Sequence, residues 1–236
     1  MTRRRWIADE ASGNRAALVR EHARHLSQVL RAQVGQEFEI SVVGEVRLGR
    51  VAKLSADRVE FDLGAVIPAS GLLPITVAIA IFKFDRMEWA IEKCVELGVA
   101  RIIPLIAART EPHLATAAAK RVERWRRIAH QASEQSRRTA PPEIADPVEL
   151  KEFLASANHG ARVVLSELEQ ELPLKDAILG DGNPLTLAFG PEGGWKKQEL
   201  AAFTQAGWKA ASLGPTILRA ETAVIAAIAV AASILT

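Results

Sequence analysis

The sequence predicts an α/β protein: a mainly parallel sheet covered by helices on both faces over residues 72–236, behind a small β domain over 1–71. Three observations carry this reading. Residues 37–63 alternate apolar and polar side chains with the two-residue period of half-buried strands. From residue 75 onward, short apolar runs alternate with stretches of helical spacing, as expected of strands buried on both faces and joined by crossover helices. A length of 236 residues suits one or two domains, and 49% hydrophobic with 25% charged residues is too apolar for disorder, so the whole chain is expected to fold.

A helix over 21–31 precedes the alternating stretch, whose breaks at Gly44 and at 55–57 separate antiparallel strands. Residues 64–74 resemble a linker. The run 75–82 is a buried strand. A helix follows: Asp85 with Glu88 forms a capping box, Met87, Ala90, Ile91, Cys94 and Val95 recur at helical spacing, and Gly98 can close the end. Residues 99–106 form the next strand. A long basic helix over about 116–138 places Val122, Trp125, Ala129 and Ala132 on one face, so core packing is the expected role of Trp125. Asp146, Pro147 and Glu149 repeat the capping logic, with proline at the first helical position. Strands 162–165 and 185–189, helix 196–206 and strand 210–213 come next. The apolar run 223–235 is shorter than the roughly 20 residues of a membrane span and reads as a buried helix.

Composition narrows the function. A single cysteine, Cys94, rules out an internal disulfide and a cysteine-based zinc site, which leaves the cytoplasm as the expected compartment. The basic start, Arg3 to Arg5, has no apolar stretch behind it, so secretion is not expected. The five histidines (22, 25, 113, 130, 159) show no metal spacing, and neither a metal nor a membrane is expected as partner. The net charge of +2 hides an uneven spread. Residues 1–31 hold seven arginines, residues 119–138 hold seven bases against two acids, and residues 143–182 carry nine acids against three bases. Two basic stretches of this kind fit a polyanion, which makes nucleic acid a candidate partner.

Two loops hold the candidate chemistry, since ligands of open α/β sheets bind beyond the carboxyl ends of the strands. The first is Gly190-Pro191-Glu192-Gly193-Gly194, between a buried strand and a helix. Its glycines allow close approach to the backbone. Pro191 lacks an N–H and Glu192 adds a carboxylate near a helix start, so the loop suits a ligand of cationic character better than a phosphate. No P-loop lysine or dinucleotide fingerprint is present. The second, residues 213–223 (LGPTILRAETA), puts Arg219 and Glu221 at the mouth of the most apolar helix. Burying such charges costs desolvation, which favours a functional role, although Glu221 could also stabilise the helix start with Arg219 as its ion-pair partner.

GPEGG at 190–194 followed by LGPTILRAETA at 213–223 resembles the paired signature of the SPOUT methyltransferases. More closely, the chain resembles the RsmE family, which methylates N3 of a uridine in small-subunit (16S) ribosomal RNA. Matching pieces also include Lys83 with DRMEWAIEKCVELGV at 85–99, Arg109, ASEQSRR at 132–138, and Arg5 with HLSQVLR at 25–31. Thr110 departs from the serine usual after the arginine.

The resemblance implies a PUA-like β-barrel for RNA binding over 1–71 and a trefoil-knotted methyltransferase domain over 72–236; the strand pattern alone suggests an ordinary Rossmann-like sheet. It further implies S-adenosylmethionine as cofactor, a homodimer, and 16S RNA as partner within the 30S subunit or a late assembly particle. The cofactor positions would be Leu165, Ser166, Phe189, Gly190, Pro191, Glu192, Gly193, Leu213, Gly214, Ile217, Leu218, Thr222 and Ala223. Arg3, Arg4, Arg5, His25, Arg31, Lys83, Arg86, Arg109 and Arg137 would face RNA. Uridine N3 carries a weakly acidic proton, so a base and a stabiliser of the developing anion are needed. Glu221 and Glu134 are the candidate bases, and Arg219 and Arg138 the candidate stabilisers. A SPOUT enzyme acting on a ribose hydroxyl or another base, and a non-catalytic RNA-binding assembly factor, stand as alternatives.

Overall fold

A computed structural model describes residues 5–69, 71–156, 160–179 and 184–235. Arg3, Arg4 and His159 lie outside them. The chain divides into two compact units, residues 1–72 with 133–141 and residues 73–132 with 142–236.

The first unit is a curled mixed sheet of β1 (Trp6–Ile7), β2 (Glu10–Ser12), β3 (Arg15–Val19), β4 (Glu37–Val42), β5 (Glu45–Leu54) and β6 (Arg58–Ile67). Its order is β1-β4-β5-β6-β3-β2, antiparallel except for β1 against β4. The two-residue alternation works as expected: Ile40, Val51, Val59 and Phe61 point into one core with Leu18 and Trp6. The linker expected over 64–74 does not exist as such. Val66 and Ile67 continue β6 by pairing with Arg47 and Val46, because the long β5 offers ladder partners that outweigh the break signal of Gly64. The helix expected over 21–31 is α1 (Arg20–Arg24) followed by a π-helical turn, His25–Val29.

In the second unit a seven-stranded sheet holds β7 (Leu73–Ala80), β8 (Val99–Ile106), β9 (Glu143–Ile144), β10 (Val148–Glu149), β11 (Ala161–Leu165), β12 (Leu185–Phe189) and β13 (Lys209–Ala211). The order is β10-β8-β7-β12-β11-β13, with β9 beside β8, and every pairing is parallel. Side-chain alternation sorts each central strand between two layers. Ile75, Val77 and Ile79 of β7 face the layer of α2 (Phe84–Glu96), α3 (Pro112–Gln135), α5 (Leu174–Ile178) and α7 (Ala220–Leu235). Ala78 and Ala80 face α4 (Leu150–Ala155) and α6 (Lys197–Gln205), where Phe153, Phe203, Trp195 and Trp208 supply the bulk that alanine leaves out. Each large side chain buried in this way contributes about 1.5–3 kcal/mol. Trp125 and Cys94 are fully buried in the first of these layers.

Two helix starts differ from the sequence reading. Helix α2 begins at Phe84, so Asp85 falls inside its first turn rather than at the cap and the box of Asp85 with Glu88 does not form; Glu88 instead bonds Arg124 of α3 at 2.6 and 2.8 Å. Pro147 does not open a helix. It precedes β10, whose Val148 pairs with Leu105, and a proline is tolerated at the start of such an edge strand. As expected, Gly98 closes α2 at φ +93°, with Leu73 packed where a Cβ would stand. Among the described residues no helix is long and apolar enough to cross a membrane.

Candidate functional site

The parallel strands β11, β12 and β13 end side by side at Leu165, Phe189 and Ala211, and the loops that leave them surround a cavity of about 420 Å³. This is the crevice that an open α/β sheet offers beyond its carboxyl ends, next to the point where the strand order turns from β7 to β12. Of the positions assigned to a cofactor from sequence, Leu165, Ser166, Phe189, Gly190, Pro191, Glu192, Gly193, Leu213, Gly214, Ile217, Leu218 and Ala223 line it, and Thr222 does not. Arg219 lines it as well.

The 190–194 loop is a tight turn closed by the Gly194 N–H on the Pro191 carbonyl at 2.8 Å. Gly194 stands at φ +68°, a backbone conformation that favours glycine, and its open side faces the exposed Glu167 carboxylate. Trp195 donates its indole N–H to the Leu165 carbonyl at 3.1 Å and is buried, which ties the loop to the end of β11. Arg109 donates to the carbonyls of Gly193 and Trp195. The loop is thereby held from both sides while Glu192 stays exposed at the cavity wall.

The second loop delivers Arg219, exposed, and Glu221, which is 7% exposed in the first turn of α7. The expected pairing of Arg219 with Glu221 is absent. Glu221 Oε1 instead lies 3.9 Å from Nε of Arg86, and its Oε2 is buried with no hydrogen-bond partner. Arg219 has no ion pair among the described residues. Arg86, assigned to RNA from sequence, lines the cavity and donates from Nη1 to Glu192 Oε1 at 2.9 Å. Its place was illegible in the pattern because α2 reaches the cavity only through the tertiary fold. Sequence reading also missed Glu167, Ser212 and Thr216. For Glu167 a signal existed, since it directly follows Ser166 beyond a strand end.

The other assigned residues lie elsewhere. Glu134 and Arg138, both buried, fall in the 133–141 segment of the first unit, where Glu134 Oε1 accepts the Ile7 N–H at 3.5 Å. Arg5, proposed to meet phosphate, is 6% exposed and bonds Glu39 at 3.0 and 3.1 Å. Arg137 also pairs with Glu39. Burial raises the Glu39 pKa, but the two guanidinium partners outweigh it and hold this carboxyl below its ordinary value. His25 packs against the Trp6 ring, while Arg31 and Lys83 are exposed. On the basic helix, Arg124 is neutralised by Glu88 and Arg126 by Glu123 and Asp146, which leaves Lys120 and Arg127 without ion pairs among the described residues. A second cleft of about 310 Å³, lined by Phe82, Arg109, Glu111 and Leu114, shares Pro191, Glu192 and Gly193 with the first.

Apolar walls from Leu165, Phe189, Ile217 and Leu218, a loop where side chains are excluded, and the carboxylates Glu167 and Glu192 suit an amphipathic ligand with a heterocycle and a positive charge. The volume falls within the range of small-molecule sites, roughly 300–1,000 Å³. Comparison with known proteins agrees. Residues 70–232 match a family described as an RNA methyltransferase domain. Ribosomal RNA small subunit methyltransferase E of Synechocystis sp. is 34% identical over 214 residues, 87% of this chain and 68% of that protein. Its Bacillus subtilis namesake is 33% identical over 86% of this chain and 84% of its own length. A crystal structure of a ribosomal RNA small subunit methyltransferase E from Neisseria gonorrhoeae, bound to S-adenosyl methionine, is 31% identical and superposes with a TM-score of 0.89 over 98% of both chains.

Proposed function

The chain belongs to the RNA methyltransferase domain family, among the ribosomal RNA small subunit methyltransferases E, and on that footing we propose that it uses S-adenosylmethionine to methylate N3 of a uridine in 16S ribosomal RNA. The observation that carries the reading is the cavity at the ends of β11, β12 and β13, walled by the 190–194 and 213–223 loops, with a free buried carboxylate oxygen one residue from its lining. Bound there, the cofactor supplies an electrophilic sulfonium methyl and its own thioether leaving group. Leu165, Phe189, Ile217 and Leu218 enclose its heterocycle, and Glu167 and Glu192 provide negative charge near its positive groups.

The remaining chemistry falls to side chains. Glu221 Oε2 has no other partner and accepts the N3 proton of the target base. Arg219, exposed and without an ion pair, faces the charge that then spreads onto the uracil carbonyl oxygens. N3 lies on the Watson–Crick edge, so the target uridine is unpaired or flipped when it reacts. Arg31, Lys83, Lys120 and Arg127 are among the exposed bases that can meet phosphates, and binding weakens with salt.

In the same reading residues 1–71 form a PUA-like RNA-binding barrel and residues 72–236 a trefoil-knotted methyltransferase domain, supported by the motifs and by the placement of β12 between β7 and β11. The enzyme works in the cytoplasm as a homodimer, on the 30S subunit or a late assembly particle. Partial exposure of Ile225, Ala226 and Ile234 on the apolar α7 supports the dimer. The test is nucleoside mass mapping of 16S RNA in undermodified 30S subunits after incubation with the protein and S-adenosylmethionine. The expected product is 3-methyluridine; a methyl group on a ribose, or no transfer, would overturn the assignment.

A further inference from the structure

Building on that cofactor reading, we propose that Arg86 is a positioning residue that clamps the two cavity loops together, with its guanidinium set between Glu192 of the 190–194 loop and Glu221 at the start of α7. Arg86 lies in the first turn of α2, a helix anchored by the buried Met87, Ala90 and Ile91, so its backbone is fixed. Its Nη1 donates to Glu192 Oε1 at 2.9 Å, and its Nε lies 3.9 Å from Glu221 Oε1. One cation thus serves two carboxylates, one from each loop.

Removing that cation leaves Glu192 and Glu221 facing each other as like charges. Glu221 is held in a buried helix start, so the exposed Glu192 is the one that swings to water and carries its loop away from α7. The clamp also sorts the two oxygens of Glu221, because Oε1 faces the guanidinium and Oε2 is left free to take a proton. A role for Arg86 as a phosphate ligand fits less well: its side chain is only 35% exposed and already committed to two carboxylates. An arginine suits this bridging better than a lysine, since its fork directs separate nitrogens at separate partners.

Amide hydrogen exchange on the ligand-free protein tests the clamp by itself, and calorimetric titration with S-adenosylmethionine tests its consequence. In Arg86→Gln, exchange should speed up in both 190–194 and 220–223, and the dissociation constant should rise roughly tenfold. Arg86→Lys should recover only part of that loss, and Glu192→Gln should have little further effect once Arg86 is gone. Unchanged exchange in both segments overturns the proposal. So does wild-type cofactor affinity accompanied by a raised KM for RNA alone, which would make Arg86 a phosphate contact. If Arg86→Gln does not fold, Arg86→Lys and Glu192→Gln are read in the same way. A wild-type protein that binds no S-adenosylmethionine, yet loosens both loops on substitution, would sink the cofactor reading and leave the clamp standing.

Discussion

Two helices of the second unit begin with a buried glutamate, and the two residues have opposite fates. Glu199, at the third position of α6, is 8% exposed; its Oε2 accepts the Lys196 N–H at 2.7 Å and its Oε1 the Ala108 N–H at 2.8 Å. Glu221, in the first turn of α7, is 7% exposed, shares a distant cation and keeps one oxygen without a partner. Helix-dipole stabilisation is available to both. Glu199 has spent its acceptors on backbone amides and joins α6 to the loop after β8, as a structural carboxylate does. Glu221 holds an acceptor in reserve at a desolvation cost that packing alone would not select. Burial and residue type are the same, so the saturation of the oxygens is what distinguishes the two, and it is the ground on which the proposed function gives the chemistry to Glu221.

The contrast breaks most decisively at Glu221. Glu221→Gln should lower turnover by about 100-fold or more, the ordinary worth of a general base, while melting temperature stays close to wild type and cofactor affinity falls by no more than the roughly tenfold expected from loss of the Arg86 contact. Single-turnover methylation together with calorimetry checks this, and unimpaired transfer would remove Glu221 from the mechanism. Glu199→Ala should do the reverse: a loss of about 2 kcal/mol in stability, read by urea denaturation, with activity per folded molecule retained. A smaller effect is expected from Gly194→Ala, which forces a side chain into a positive-φ turn against Glu167 and should weaken cofactor binding by about 1 kcal/mol or more. Smallest is the pH response of Glu39 in the first unit. Its folded pKa lies below the ordinary carboxylate value, so its contribution to stability is complete above that value and fades as pH falls through the lowered one. Glu39→Gln should therefore flatten the acid limb of a melting-temperature profile and leave neutral pH little changed in slope.

Local pattern made much of the fold legible. Strands β4 to β6 follow from two-residue alternation, β7, β8, β11 and β12 from short apolar runs between turn signals, and helices α2, α3, α6 and α7 from helical spacing or, for α7, from one long apolar run. The short β2, β9, β10 and α5 were not legible: strands of two or three residues and a helix of five cannot display a period, and their stability comes from the elements packed beside them. The capping box at Asp85 did not form because the helix starts one residue earlier, at Phe84, and Glu88 pairs with Arg124, 36 residues away. The two cavity loops were readable because their unusual residues sit at strand ends. Arg86 and Glu167 were not singled out for the cavity, since nothing in their own segments distinguishes a cavity cation or anion from a solvated one.

Sequence alone determined which segments would be buried strands, which helices would cover them, and that glycine-rich and charged turns would gather at the carboxyl ends, because periodicity and turn chemistry are local properties. Only the tertiary structure decided which charges meet. Arg5 went to Glu39, Arg86 to Glu192 and Glu221, and Arg219 was left free, since electrostatic partnership depends on distance through space and desolvation, neither of which is written along the chain.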